Sequence, residues 1–287
     1  MLPPPQLVRS TAARRRTGFR FAAARVARWL ATRHALRVEA AIVLAFYAAY
    51  EASRGIVVGD RRVAVDHARA ITSLEQRLHL FVEPSVQRAV QAVPELLTLI
   101  GGAYLTLHLS VTAGLLLWLH RRRPAAFAPV RTTLLLASAL ALVGFLLYPT
   151  APPRLADVGL VDTVSSRHID LNNGLLSSLY NPYAAVPSLH MGYALVVTAA
   201  LVRYARTRLA RLTGLLYSLF VLLVIVATGN HFLFDAAAGA AVVALAHLLA
   251  YAIGRVAAAG VARRSREALS TLARIPHRPS LERQLAA

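Results

Sequence analysis

Long apolar runs separated by arginine-rich breaks set the pattern of this chain. Residues 96–120, 132–148, 187–203, 212–229 and 235–254 are each close to the length a helix needs to cross a membrane core of roughly 30 Å. A run ahead of these is apolar over 40–50, and to cross it must continue through Glu51 and Arg54 to about Val58. Those two charges lie three apart on one helical face, where they can pair inside a bundle or serve a site. Between 64 and 91 the pattern turns amphipathic, with Ile71, Leu74, Leu78 and Phe81 on one face and Glu75, Arg77 and Arg88 elsewhere. That predicts an interfacial helix interrupted at Pro84. Phe19, Ala22, Val26 and Trp29 recur at helical spacing among many arginines, which predicts a basic amphipathic helix on the membrane surface.

The expected fold is an all-α membrane protein: six transmembrane helices in a bundle, an N-terminal basic amphipathic helix, and an interfacial helix between spans 1 and 2. The expected division is a basic arm over 1–37, a membrane domain over 38–258 and a basic tail over 259–287. A cleaved signal peptide would carry its apolar core much nearer the start, so a targeting role for the arm is the weaker reading.

Composition agrees with this frame. The chain is 57% hydrophobic, and its mean hydropathy is +0.53. Its formal net charge of +19 comes from arginine without any lysine, in blocks between apolar segments and at both ends. Such blocks suit anionic lipid headgroups better than nucleic acid. With no cysteine, disulfide and thiol chemistry are excluded. The arm, the 121–131 loop, the 203–211 loop and the tail are arginine-rich, and with six spans they share one side, expected to be cytoplasmic. The 149–186 loop and the turn between spans 5 and 6 then face outward, in an integral protein of a bacterial plasma membrane. The 60–93 loop keeps several arginines and fits this orientation least well.

Ionisable residues at the edges of such runs are costly and call for a reason. Two stretches hold them, NPYAAVPSLHMG at 181–192 and GNHFLFD at 229–235. His231 and Asp235 are four apart and share a face if the helix begins at or before His231, so the carboxylate can accept from one ring nitrogen and leave the other electron-rich. That describes an activated nucleophile or base, although a lone pair at this spacing is more often structural. Pro187 and Ser188 mark a helix start, with Ser188 as cap, and a helix N-terminus suits an anion such as phosphate. His190, protonated, can donate to a leaving oxygen. Gly192 and Gly239 fit close helix packing. In PTAPPR, prolines stiffen the loop before Arg154, on the same side as the histidines, which makes it a candidate phosphate clamp.

PSLH at 187–190 followed by NHFLFD at 230–235 in a six-span chain resembles the type 2 phosphatidic acid phosphatase superfamily. YPTAPPRL at 148–155 and NPYAAVPSLHMGYAL at 181–195 are similar to its inositol phosphorylceramide synthase-like branch, and the likeness runs from about Tyr47 to Gly239, including LEQRLHLFVEP at 74–84. The resemblance implies phosphoryl transfer at a membrane lipid, with no cofactor and no metal. By it, His231 attacks phosphorus to form a phosphohistidine, Asp235 orients His231, and His190 protonates the departing alkoxide. Water, or an alcohol in a transferase, resolves the intermediate. Arg154, the Ser188 hydroxyl and the helix N-terminus then serve the equatorial oxygens.

One departure stands out. The superfamily usually places an arginine six residues before the nucleophilic histidine, where this chain has Ile225, and a lysine upstream of an Arg-Pro pair is missing too. The phosphate must then rest on Arg154 with help from Arg167, His168 or Asn230. His108, inside the second span, is a core histidine by default and a substrate-site candidate by its place in the branch, as is Tyr183. Tyr183 and Asn181 also read as loop anchors.

Two function classes follow. One is a lipid phosphatase or a transferase of a phospho-headgroup such as inositol phosphate or sugar phosphate, acting on a lipid phosphate or diphosphate at the outer face. The other is a non-catalytic lipid-binding or transport module on the same scaffold.

Overall fold

The computed structural model describes residues 37–46, 48, 60–164 and 181–273. The basic amphipathic helix and the Glu51 and Arg54 pair lie outside the described residues. The first span is seen only over its helical stretch at 37–46.

From residue 60 onward every described element of regular structure is a helix. Helix α1 (Arg61–Arg77) starts at Asp60, whose carboxylate accepts from the Arg62 amide at 2.7 Å. Helix α2 (Glu83–Gln91) opens with Pro84 in its first turn, where a missing amide hydrogen costs nothing. The expected interruption is therefore present, but it lies over 78–82, ahead of the proline. Helix α3 (Pro94–Arg122) and helix α4 (Pro124–Leu147) also begin on prolines. The latter starts earlier than the apolar pattern suggested because Pro129 falls just past its first turn. Helix α5 (Leu189–Tyr204) is capped by Ser188 and helix α6 (Arg208–Ala227) by Thr207, whose hydroxyl accepts from the Ala210 amide at 3.2 Å.

Helix α7 (Leu233–Ala273) runs for 41 residues without a break. The helix thus runs past residue 259 into the basic tail, since Gly254 costs only about 1 kcal/mol against alanine and the next proline lies beyond the helix. At 1.5 Å per residue α7 is about 60 Å long, roughly twice the thickness of a hydrocarbon core.

Among the described residues four helices are long and apolar enough to cross a membrane: α3, α4, α6 and the Leu233–Gly260 part of α7. Helix α5 is apolar but shorter, at 16 residues. The arginine-rich turns meet at one end of the bundle, where Arg123 donates to the Tyr204 carbonyl at 3.1 Å. A core of Leu115, Leu119, Phe127, Val197 and Ala200 fills that end. At the other end Ile100 and Tyr104 of α3 pack with Val221, Val224 and Ile225 of α6. Ala64, Ala68 and Ile71 of α1 pack there with Ala151, Val186 and Phe232. Every stretch singled out for chemistry belongs to this second end, opposite the arginines.

The buried face of α1 differs from the one its pattern suggested. Ala64, Ala68, Ile71, Thr72 and Glu75 point inward, whereas Leu74 and Leu78 are exposed. A helix at a membrane edge meets apolar surroundings on its outer side as well, so its leucines need not face the protein.

Candidate active site

Backbone hydrogen bonds stitch the three motif stretches together. The Thr150 amide donates to the Tyr183 carbonyl at 2.8 Å and the Ala185 amide to the Thr150 carbonyl at 3.2 Å, pairing PTAPPR with the segment before α5. The Arg154 amide donates to the Gly229 carbonyl at 2.9 Å, which brings in the α6–α7 turn. The Ser188 amide donates to the Asp235 carbonyl at 3.0 Å and closes the ring between α5 and α7. Gly239 permits that last approach, because a Cβ there would stand 2.3 Å from the Ser188 carbonyl oxygen.

The turn that presents His231 follows from helix-ending chemistry. Gly229 takes φ 67°, its amide bonds the Val226 carbonyl at 3.0 Å, and the Asn230 amide bonds the Ile225 carbonyl at 3.2 Å. This is the Schellman arrangement that a glycine just past a helix makes available. The chain then passes His231 and Phe232 before α7 begins.

His231 and Asp235 do meet, but helical spacing is not the reason. Helix α7 starts at Leu233, so His231 precedes it. Asp235, in the first turn, reaches back instead, and its Oδ2 accepts from the Phe232 amide at 3.0 Å and faces His231 Nδ1 at 3.1 Å. The back-bond to the amide is the acidic half of a capping box. His231 Nδ1 also lies 3.1 Å from the Ala185 carbonyl oxygen. Two acceptors on one nitrogen place the ring hydrogen at Nδ1 and leave the Nε2 lone pair as the open, nucleophilic position. Both side chains are buried, with Asp235 fully enclosed.

His190 stands in the first turn of α5, two residues after Ser188, whose hydroxyl oxygen accepts from the Met191 amide at 3.4 Å. Its ring stacks on Tyr104 with centroids 4.4 Å apart and meets His108 at 4.1 Å. Tyr104 and His108 are one turn apart on α3 and hold one ring between them. The His190 and His231 centroids are 5.7 Å apart, within reach of a single phosphoryl group. His108 thus joins the histidine cluster, while Tyr104 carried no signal in the sequence beyond being aromatic.

Arg154 is buried beside this pair. Its Nε donates to Asn230 Oδ1 at 2.8 Å and its Nη1 to Asp162 Oδ2 at 2.6 Å. Asn230 therefore orients the arginine, and Asp162 offsets part of its charge, a partner the sequence did not suggest. Ile225, where an arginine was expected, is fully buried in the apolar core with Ile100 and Tyr104. Arg167 and His168 lie outside the described residues. Asn181 Oδ1 accepts from the Tyr183 amide at 2.9 Å, and Tyr183 packs against the core that holds Ala151, Val186 and Phe232, as loop anchors do.

Helices α1 and α2 reach the start of α7 and the 148–164 loop directly. Glu83 Oε1 accepts from the Leu233 amide at 2.9 Å and Glu75 Oε1 from the Phe234 amide at 2.7 Å. Gln87 holds the 148–164 loop through both sides of Val161: Nε2 donates to its carbonyl at 3.0 Å, and Oε1 accepts from its amide at 2.9 Å. The Ala64 carbonyl accepts from the Ala151 amide at 3.0 Å, and His67 Nδ1 lies 2.8 Å from the Pro149 carbonyl oxygen. Burial, with Glu83 close by, pushes the Glu75 carboxyl up to about 8. Acids spaced along an amphipathic pattern read as solvated, so this role was not legible beforehand.

No curated protein and no solved structure matches this chain. A family model described as the PAP2 superfamily matches residues 69–249, a span that runs from within α1 into the first half of α7 with His190, His231 and Asp235 inside it. On that match the chain belongs to the type 2 phosphatidic acid phosphatase, or PAP2, superfamily, a family of phosphatase-type enzymes.

Proposed function

We propose that this protein is an integral membrane lipid phosphatase or phosphotransferase that works through a phosphohistidine on His231. The observation that carries the reading is His231 Nδ1 held between Asp235 and the Ala185 carbonyl, which leaves Nε2 open in a ring 5.7 Å from His190. In the first step Nε2 forms a bond to phosphorus as the bond from phosphorus to the lipid oxygen breaks, and His190 gives its proton to that oxygen. Asp235 stabilises the imidazolium as it develops. In the second step a water or an alcohol attacks phosphorus, His190 takes its proton, and His231 is released. Arg154, set by Asn230, supports the charge on the phosphate oxygens, with the Ser188 hydroxyl and the α5 N-terminus beside it. Arg167 is a further candidate for that charge. The chemistry needs no metal ion.

The substrate is a lipid phosphate or diphosphate at the extracytoplasmic face, since the site lies at the bundle end opposite the arginine-rich turns and the positive-inside rule assigns those turns to the cytoplasm. Anionic headgroups are partners of that arginine-rich end. A transferase of the inositol phosphorylceramide synthase-like branch, moving a phospho-headgroup to an alcohol, is supported by YPTAPPRL and NPYAAVPSLHMGYAL, which the fold pairs through Thr150 and Ala184.

The test is turnover in detergent micelles with a chelator present. Purified protein should release phosphate from a lipid phosphate, vanadate should inhibit it, and the trapped phosphoenzyme should be acid-labile and absent from His231→Ala. Full activity in His231→Ala would refute the mechanism. Tight lipid binding without turnover across phosphatidic acid, polyprenyl phosphates and inositol phospholipids would favour a non-catalytic module. A labelled phospho-headgroup recovered on an added alcohol would identify a transferase.

A further inference from the structure

The start of α7 has an unusual capping problem. Phe232 stands at the N-cap and has no side-chain acceptor, and His231 precedes it, so neither local position can serve the free amides of the first turn. Asp235 returns to the Phe232 amide. The next two amides, Leu233 and Phe234, are served by Glu83 and Glu75, which lie 150 and 159 residues earlier in the chain. Both glutamates are buried, at 0% and 2% exposure. A serine or aspartate at the N-cap would satisfy amides more cheaply than two enclosed carboxyl groups, whose burial is costly. At that position, however, the Phe232 ring fills the core with Ala64, Ala68 and Ile71.

We propose that Glu75 and Glu83 are positioning residues for the nucleophile, gripping the first amides of α7 so that Asp235 and His231 stand in one place relative to His190. This rests on the reading of His231 as nucleophile. The same Asp235 oxygen caps Phe232 and faces His231 Nδ1, so a displacement of the first turn is passed directly to the imidazole. His190 is held separately, by Tyr104 and His108 on α3. The distance between the two histidines is thus set by α3 on the His190 side and by the start of α7 on the His231 side, joined at the bond from the Ser188 amide to the Asp235 carbonyl, and the glutamates tie α7 to the α1–α2 pair. Close to neutrality Glu75 keeps its proton, and its carbonyl oxygen still accepts from the Phe234 amide.

Glutamine keeps a carbonyl acceptor at the same reach, whereas alanine removes it and aspartate withdraws it by one methylene. Steady-state kinetics of the full-length protein on phosphatidic acid micelles, normalised to the monodisperse fraction on size exclusion, separate these cases. Glu83→Ala and Glu75→Ala should lower kcat roughly 10- to 100-fold with KM changed less than about threefold, the scale on which misplacement of a reacting group is felt. Glu75→Gln should restore most of kcat, and Glu83→Gln should recover part of it. If the alanine variants do not fold, Glu83→Asp and Glu75→Asp decide, with a lower kcat expected at unchanged KM. Wild-type kcat in folded alanine or aspartate variants would overturn the inference, as would glutamine variants as slow as the alanine ones. Wild type and His231→Ala run alongside: an inactive wild type removes the reading of the nucleophile, whereas an active wild type with indifferent glutamate variants removes only this one.

Discussion

Replacing Asp235 by asparagine removes one buried charge and almost no volume. In the native site Oδ2 accepts from the Phe232 amide at 3.0 Å and faces His231 Nδ1 at 3.1 Å. Asparagine can present its carbonyl oxygen to both donors, so the first turn of α7 keeps its cap. On the proposed mechanism, what disappears is the attraction between the carboxylate and the imidazolium that forms as His231 bonds to phosphorus. Unit charges 3.1 Å apart attract by about 5 kcal/mol at an effective dielectric of about 20, an upper bound because charge is only partly developed in the transition state. The excess of a charge-assisted over a neutral hydrogen bond sets a lower figure of about 1 kcal/mol.

A loss of about 1.5–3 kcal/mol between these limits corresponds to roughly 10- to 150-fold in kcat. It should stay well short of the roughly 10⁴-fold penalty seen when a catalytic histidine loses its tautomer. The Ala185 carbonyl, also 3.1 Å from Nδ1, continues to hold the hydrogen there. The assay is the initial rate of phosphate release from a lipid phosphate in mixed micelles, compared with wild type and with His231→Ala. A loss under about threefold would show that the carboxylate does not stabilise the cation, and a fall to the His231→Ala background would show that Ala185 does not keep the tautomer; either refutes the reasoning.

Gly239→Ala puts a Cβ 2.3 Å from the Ser188 carbonyl oxygen, so α5 and α7 must separate; a stability loss of about 1–3 kcal/mol and a lower kcat are expected, read by thermal unfolding and turnover. Gly114→Ala, with nothing within 4 Å of its new Cβ, should leave both unchanged or raise the unfolding temperature. Arg154→Lys cannot hold Asn230 and Asp162 together through a planar fork and should cost about tenfold or more in kcat/KM, measured with the same lipid phosphate. Glu75 prefers its proton in the folded protein, from an ordinary value of 4.5 up to about 8, so its contribution to stability is fully present below pH 4.5 and is lost as pH rises to about 8. Unfolding midpoints in detergent at pH 6 and pH 9 should therefore fall less in Glu75→Gln than in wild type, and equal falls would contradict that assignment.

Much of the bundle was legible from local pattern. Apolar runs located α3, α5, α6 and the start of α7 closely, and Ser188 marked the cap of α5. Where the pattern misled, a neighbour distant in the chain was responsible. Pro84 lies in the first turn of α2 and does not break a longer helix. Glu75 appeared to lie on the polar side of α1 and is enclosed, because α7 needs its carboxyl group. Asn230, expected at the phosphate, also accepts from Arg154 and orients it.

By itself the sequence determined where most of the helices lie and where apolar length suits a membrane, and it singled out His190, His231 and Asp235 as candidates for the chemistry. Those properties arise from near neighbours and from single residues whose chemistry has few other uses. The tertiary structure alone decided that Ala185 shares His231 with Asp235, that Tyr104 and His108 hold His190, and that Glu75 and Glu83 cap α7. These contacts join residues 46 to 159 positions apart, beyond the reach of any helical period. A buried amide that lacks a local partner takes whatever acceptor the packed chain brings to it, and only the packed chain shows which.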